Sequence, residues 1–292
     1  MRRHPLPCRA APGNARRASG RHGRANRRQR GAIRGRSATR AREFPLGEPL
    51  MTSPPPPDAP DRLRVLSANL WNGRADPEGF AALVEQLAVD IVAVQELGPL
   101  QADALGRRLP HGSLEPRDDY NGMGIAGRVP LAVRRLALPN RDARVAELHL
   151  RGSDGEPVAV ELVNIHVEAP HSTPTWRTVE RRRGQWRALE RHLRANPHHP
   201  RMVVGDFNST PLWPFYRRMA GHLRDAALLH AARTGGRAQP TWGPWHGAPR
   251  LLRIDHAFVH HLEVLDFQVV TVPEGDHSAV VVEIAVKGGT KD

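Results

Sequence analysis

Cysteine is nearly missing from this chain of 292 residues, which has one, at position 8. Everything after Cys8 is free of thiols, which excludes disulfides, cysteine-ligated zinc and a cysteine nucleophile from the bulk of the protein. A thiol-free domain tolerates either redox compartment. No stretch reaches the ~18 uninterrupted apolar residues of a membrane-spanning helix, and the pair Arg2-Arg3 is not followed by the apolar core of an export signal. A cytoplasmic location is the expectation. Acids are scarce at the start: residues 1–50 contain fourteen arginines, no lysine and only Glu43 and Glu48. Of the formal charge of +13, +12 falls there, which leaves +1 on residues 51–292.

That first segment also lacks large apolar residues at helix or strand spacing, so burial cannot offset its ordering entropy. Residues 1–60 read as a disordered Arg/Pro-rich tail. Three readings stay open: a polyanion-binding arm, an organelle transit peptide, or a functionless extension preceding an alternative start at Met51. Between 61 and 288 there is no repeat and no linker, and 39% hydrophobic content supports a sizeable core, so one domain is expected there.

Within it, "RLRVLSANLW" alternates as a strand. "ADPEGFAALVEQLAVD" follows as a surface helix, with Asp76 as N-cap, Pro77 at the first position and Phe80, Leu83, Val84 and Leu87 on one stripe. "DIVAVQEL" reads as a strand covered on both faces. "QADALGRRLP" reads as helical, and "GMGIAGRVPL", "RVAELHLR" and "VAVELVNIHVEAP" as three strands joined as hairpins, which makes the sheet mixed. A long helix capped by Thr173 and Pro174 would bury Trp176, Val179, Trp186, Leu189 and Leu193, with its arginines, among them Arg177, Arg181, Arg182, Arg183 and Arg187, on a solvated face. Then come "RMVVGDFN", one or two helices, and the closing strands "RIDHAFV", "LEVLDFQVV" and "SAVVVEIAV".

One feature recurs. Asn69, Glu96, His166, Asp206 with Asn208, Asp255, and Asp276 with His277 each stand at or just past the end of an apolar strand. Alternation in "MVVGDFN" sends Asp206 and Asn208 to one side and Phe207 to the other. Taken singly, each residue fits a turn or a solvated loop. Together they give carboxylates, amides and imidazoles on one rim, where α/β proteins place clefts. Oxygen donors without thiolate suit Mg²⁺ or Mn²⁺, and the remaining acids and histidines suit acid/base work.

The blocks "SANLW", "VQEL", "VNIHVEAP", "VVGDFNST", "RIDHAFV" and "EGDHSAV", in this order, resemble the endonuclease/exonuclease/phosphatase superfamily, which includes deoxyribonuclease I, abasic-site endonucleases, neutral sphingomyelinases and inositol-polyphosphate 5-phosphatases. The resemblance implies an α/β fold, a four-layer sandwich of two facing mixed β-sheets flanked by helices, and metal-dependent hydrolysis of a phosphate ester. It implies Glu96 as the principal metal ligand, with Asn69 beside it and Asp276 acting directly or through water. Asp206 would orient or deprotonate the attacking water, Asn208 would hold a phosphate oxygen or that water, His277 would contact the phosphate with Asp255 as its partner, and His166 would stabilise or protonate the leaving oxygen. His256 stands where relatives often carry tyrosine and is read as structural; Gly275 replaces the usual serine before Asp276. Tyr120, Arg128 and Trp242 are candidate substrate contacts, and Trp213, Phe215 and Trp245 are further loop aromatics near the predicted cleft. A nuclease or other phosphodiesterase is the leading expectation, with nucleic acid as a plausible partner and a monomeric state. The alternatives are a phosphomonoesterase or phospholipase-type hydrolase acting on inositol phosphate or lipid headgroups, and a catalytically inactive binding module.

Overall fold

The structure, a computed structural model, describes residues 59–171 and 174–287. The tail to residue 58, the Met51 start and the Thr173 cap lie outside the described residues. In chain order the elements are β1 (Leu63–Asn69), α1 (Pro77–Gln86), β2 (Ile91–Gln95), α2 (Pro99–Gly106), β3 (His111–Glu115), β4 (Met123–Gly127), β5 (Val133–Leu136), β6 (Ala143–Arg151) and β7 (Pro157–His166). They continue with α3 (Thr175–Ala195), β8 (Arg201–Asp206), α4 (Pro214–Ala220), β9 (Arg224–Asp225), α5 (Ala226–Thr234), β10 (Asp255–His260), β11 (Leu262–Thr271) and β12 (Ser278–Val286). Ala59 and Pro60, expected in the tail, are held instead against β6: Ala59 is buried, and Arg151 donates to the carbonyls of both.

Two six-stranded sheets result, in the orders β11-β12-β1-β2-β4-β3 and β5-β6-β7-β8-β10-β9. β1 and β2 are parallel, as are β7 and β8, and every other pair of neighbours in the two sheets is antiparallel, so both sheets are mixed. Alternate residues of each strand feed different apolar layers. Leu63, Val65, Ile91 and Ala93 of the first sheet meet Leu162, Met202, Val204 and Ala257 of the second in a shared core. The opposite faces pack outward, Leu66, Val92 and Val94 onto Phe80 and Val84 of α1, and Val163, Val203 and Phe258 onto Trp186 and Leu189 of α3. Helix, sheet, sheet and helix make the four-layer α/β sandwich.

Two local expectations are corrected, and a third, Asp76 as the N-cap of α1, holds in position. The strands β4, β6 and β7 are not one run of hairpins: β6 and β7 pair, whereas β4 belongs to the other sheet between β2 and β3, and β3 and β5 carry too little apolar alternation to be read in advance. Asp76 takes the N-cap position of α1 without a side-chain capping bond. In α3 only Trp186, Leu189 and Leu193 of the expected stripe are buried; Trp176 is 64% exposed and Val179 is 42% exposed. A 21-residue helix runs about 31 Å, and its first two turns border the loops carrying Pro170 and Trp213.

Candidate active site

Register explains why the polar residues meet. In β7, β8 and β10, His166 is paired with Asp206 and Asp206 with Asp255, so three chemically active side chains occupy one rung of the second sheet, and adjacent strands lie about 4.8 Å apart. All three share the parity of the residues that fill the core between the sheets. Across that core β1 ends at Asn69, opposite Gln95 of β2. Strict alternation would turn Glu96 outward with Val94, but Glu96 has φ +53° and turns back to the rim. The mouth of the inter-sheet layer is therefore lined by both sheets.

Asn69 joins the two halves: its amide donates to Glu96 Oε1 and to Asp206 Oδ2, both at 3.1 Å, while its oxygen accepts from the Trp71 N–H. Asp206 Oδ1 accepts from the Asn208 N–H at 2.7 Å, and the Asn208 side chain donates to Asp206 Oδ2 and to the Val167 carbonyl. His277 Nδ1 lies 2.9 and 3.1 Å from the Asp255 oxygens, and its Nε2 is 4.0 Å from Asp206. His166 Nε2 stands 3.6 Å from Glu96 and 3.7 Å from Asp206. Glu96, His166, Asp206, Asn208, Asp276 and His277 line one cleft of about 560 Å³. Asp255 is buried behind His277.

The electrostatics differentiate the groups. Burial works against the His277 imidazolium, but Asp255, Asp206 and Asp276 outweigh it and raise its pKa to about 10, so it is a cation at neutral pH. Burial, with Asp255 as a neighbouring carboxylate, raises Asp206 to about 7. Burial also raises Glu96 and Asp276. His166 goes the other way, held well below its ordinary value by burial and by the charges of Arg141 and His277. A guanidinium only donates, so the 3.0 Å contact of Arg141 with His166 Nδ1 puts the ring's proton on Nε2, facing Glu96 and Asp206.

Asp206, Asp255 and His277 each offer an atom within 4.8 Å of the others. Asp255, however, is already engaged: His277 and the Thr241 hydroxyl, at 2.6 Å, both donate to it. Two other carboxylates of the cleft are of the kind that could hold a hard dication: Glu96, with the Asn69 amide group beside it, and Asp276, whose Oδ1 is buried without a hydrogen-bond partner among the described residues.

Tyr120 and Trp242 line the cleft as expected, and so does Trp213. Arg128 does not: it lies past the far end of β4 and donates to Val89 O, at the end of β2 away from Glu96. Phe215 is core, and Trp245 is exposed outside the cleft lining. Several supporting residues were not anticipated. Arg250 donates to the carbonyls of Gly275, Asp276 and His277, clasping the loop that carries the last two site residues. Arg182, expected on a solvated face, is turned inward and bonded to the Glu168 carbonyl and the Ser209 hydroxyl, and Arg181 pairs with Glu168 at 3.1 Å. Beneath the cleft, Gln95 donates to Ser67 and Asn164, and Asn164 donates across to the Val94 and Gly124 carbonyls, tying the sheets together. The single advance signal was polarity at an inward-facing strand position; no comparable pattern distinguishes one loop arginine from another.

That the chain is a hydrolase of phosphate esters is shown by the family it belongs to. The model of the Endonuclease/Exonuclease/phosphatase family matches residues 66–277, and the chain belongs to that family, whose members are in general dependent on divalent metal. No curated protein sequence matches it. Among solved structures it is similar to an endonuclease/exonuclease/phosphatase from Beutenbergia cavernae (20% identity, 78% of this chain and 72% of that one, TM-score 0.57). The human Nocturnin catalytic domain shares 19% identity over 79% and 96% of the two chains, with a TM-score of 0.53. A mannosyl-6-phosphatase from Bacteroides thetaiotaomicron shares 18% over 76% and 99%, also with a TM-score of 0.53.

Proposed function

We propose that the protein is a divalent-metal-dependent phosphodiesterase that acts by in-line attack of water, with a nuclease as the leading reading. The observation that carries it is that His166 and Asp206, on one rung of the second sheet, share a cleft with Glu96 of the first, with His277 held there as a cation by Asp255 behind it. Mg²⁺ or Mn²⁺ on Glu96, with Asn69 and Asp276 beside it, would polarise the phosphate and offset its charge.

The chain's own residues supply the rest. Asp206, basic enough at neutral pH to accept a proton, orients and deprotonates the water, and Asn208 positions that water or a phosphate oxygen. His277 donates from Nε2 to a phosphate oxygen as negative charge develops, a role that a permanent imidazolium fills better than that of a base. His166, neutral and protonated at Nε2, donates to the leaving oxygen; with its pKa depressed it stabilises that oxygen better than it protonates it. Tyr120 and Trp242 border the space left for the ester's organic part.

A screen with Mg²⁺, Mn²⁺ and EDTA should give metal-dependent turnover of bis-p-nitrophenyl phosphate exceeding that of p-nitrophenyl phosphate. The reverse preference would favour the phosphomonoesterase reading. Glu96→Gln and His277→Ala should each lower kcat about 100-fold or more while the circular dichroism spectrum is kept. Near wild-type turnover by either variant removes that residue from the mechanism.

A further inference from the structure

A second cavity, of about 610 Å³, abuts the catalytic cleft, and Arg141 lines both. Its charge is one-sided. Arg117, Arg135, Arg141, Arg144, Arg187 and Arg191 line it against a single acid, Asp142. Glu115 beneath engages Arg135 and Arg144. Arg117, Arg187 and Arg191 are exposed and, among the described residues, make no ion pair. Arg187 and Arg191 are four apart on α3, hence on one face, and Arg183, also exposed, continues that row by one turn.

The groove is shaped by a helix-interior glycine. Gly184 lets the 137–142 loop lie against α3, since a Cβ there would sit 3.2 Å from Pro139 Cγ, and Gln185 donates to the Pro139 carbonyl. Glycine inside a helix costs about 1 kcal/mol relative to alanine. The same loop brings Arg141 to within 3.0 Å of His166, so the basic groove opens where the leaving group would depart.

We propose that this groove seats the phosphodiester backbone flanking the scissile bond, which makes a nucleic-acid strand the substrate class. The inference rests on the phosphoesterase reading of the adjoining cleft. A compact phosphomonoester would fill that cleft without reaching Arg187 or Arg191, whereas a strand presents phosphates at regular spacing, and such contacts dominate nucleic-acid affinity. The near-neutral charge of residues 51–292 hides the groove, because the imbalance is local.

The test uses the full chain in three versions: wild type, Arg187→Glu/Arg191→Glu, and a control with the same charge change elsewhere, Arg224→Glu/Arg237→Glu. Turnover of bis-p-nitrophenyl phosphate reads the cleft alone and should stay within about twofold in all three, as neither pair touches it. For a short single-stranded oligonucleotide, the groove variant should lose about 10-fold or more in kcat/KM. Its binding in EDTA, followed across a salt series, should have a log–log slope shallower by about 1.4, that is, about 0.7 for each phosphate contact removed. A fourth version, Arg187→Lys/Arg191→Lys, which keeps the charge, should retain wild-type values of both. Equal losses in the groove and control variants, or none in either, overturn the proposal. So does a groove variant impaired on phosphoinositide vesicles but not on the oligonucleotide. Failure of all three versions to hydrolyse any ester would reject the phosphoesterase reading, and oligonucleotide binding in EDTA would still decide the groove.

Discussion

His256 and Asp255 are neighbours on β10 with opposite fates, because consecutive strand residues face opposite sides of a sheet. Asp255 turns toward the inter-sheet layer and His277. His256 turns outward among Phe207, Tyr216 and Phe258, where Nε2 meets the Ser209 carbonyl at 2.7 Å. Burial, helped by Arg253, lowers its pKa from 6.5 to about 4. The unfolded chain therefore takes up this proton first on acidification. The stability tied to neutral His256 is complete above pH 6.5 and drains away as pH falls toward 4, on the order of 3 kcal/mol in all. His256→Phe should flatten the dependence of urea-unfolding free energy on pH across that window, while losing about 1 kcal/mol at pH 7 with the Ser209 hydrogen bond. An unchanged pH slope would show that His256 is not the group responsible. Its structural character was read from its place in the family block, and alternation along β10 accounts for it; the inward turn of Arg182 was not legible, because helical periodicity does not say how far a long side chain reaches.

Strand β8 shows what an element contributes. Its apolar run and its parity were legible, and they place Asp206 inward with Met202 and Val204, and Phe207 outward in the core beneath α3. The reason for a glycine before Asp206 was not. Gly205 has φ +136°, and a Cβ on it would lie 1.9 Å from the Ile165 carbonyl of β7. Gly205→Ala should therefore push β8 away from β7 at the very rung that aligns Asp206 with His166. A loss of at least about 2–3 kcal/mol is expected from backbone strain and the clash, read as a lower urea midpoint, together with a fall in kcat greater than the unfolded fraction explains. Wild-type stability in this variant would mean that the two strands have room to separate. Glu96 likewise depends on a left-handed backbone that no alternation rule anticipates. The expected α3 stripe fails for a different reason: a helical pattern identifies one face, but the length of that face which meets the sheet depends on where the sheet ends.

For the whole molecule, charge and architecture are decoupled. The +12 of residues 1–50 belongs to a segment outside the described residues, while the folded sandwich holds its arginines in local arrangements, as clasps at Arg250 and Arg182 and as a groove wall at Arg187 and Arg191. A chain starting at Met51 should keep metal-dependent turnover of bis-p-nitrophenyl phosphate and lose much of the salt-sensitive, sequence-independent affinity for polyanions, measured by fluorescence anisotropy across a salt series. Unchanged salt sensitivity would place that affinity on the sandwich. The sequence by itself determined the α/β character, the strands that end in polar groups and the family blocks, because these are written in local periodicity and residue chemistry. Only the tertiary structure decided that β4 joins one sheet and β6 and β7 the other, that Arg128 lies far from the cleft while Arg141 touches His166, and that scattered arginines share a groove. Those outcomes depend on strand pairing and loop paths between residues far apart in the chain, which no local pattern encodes.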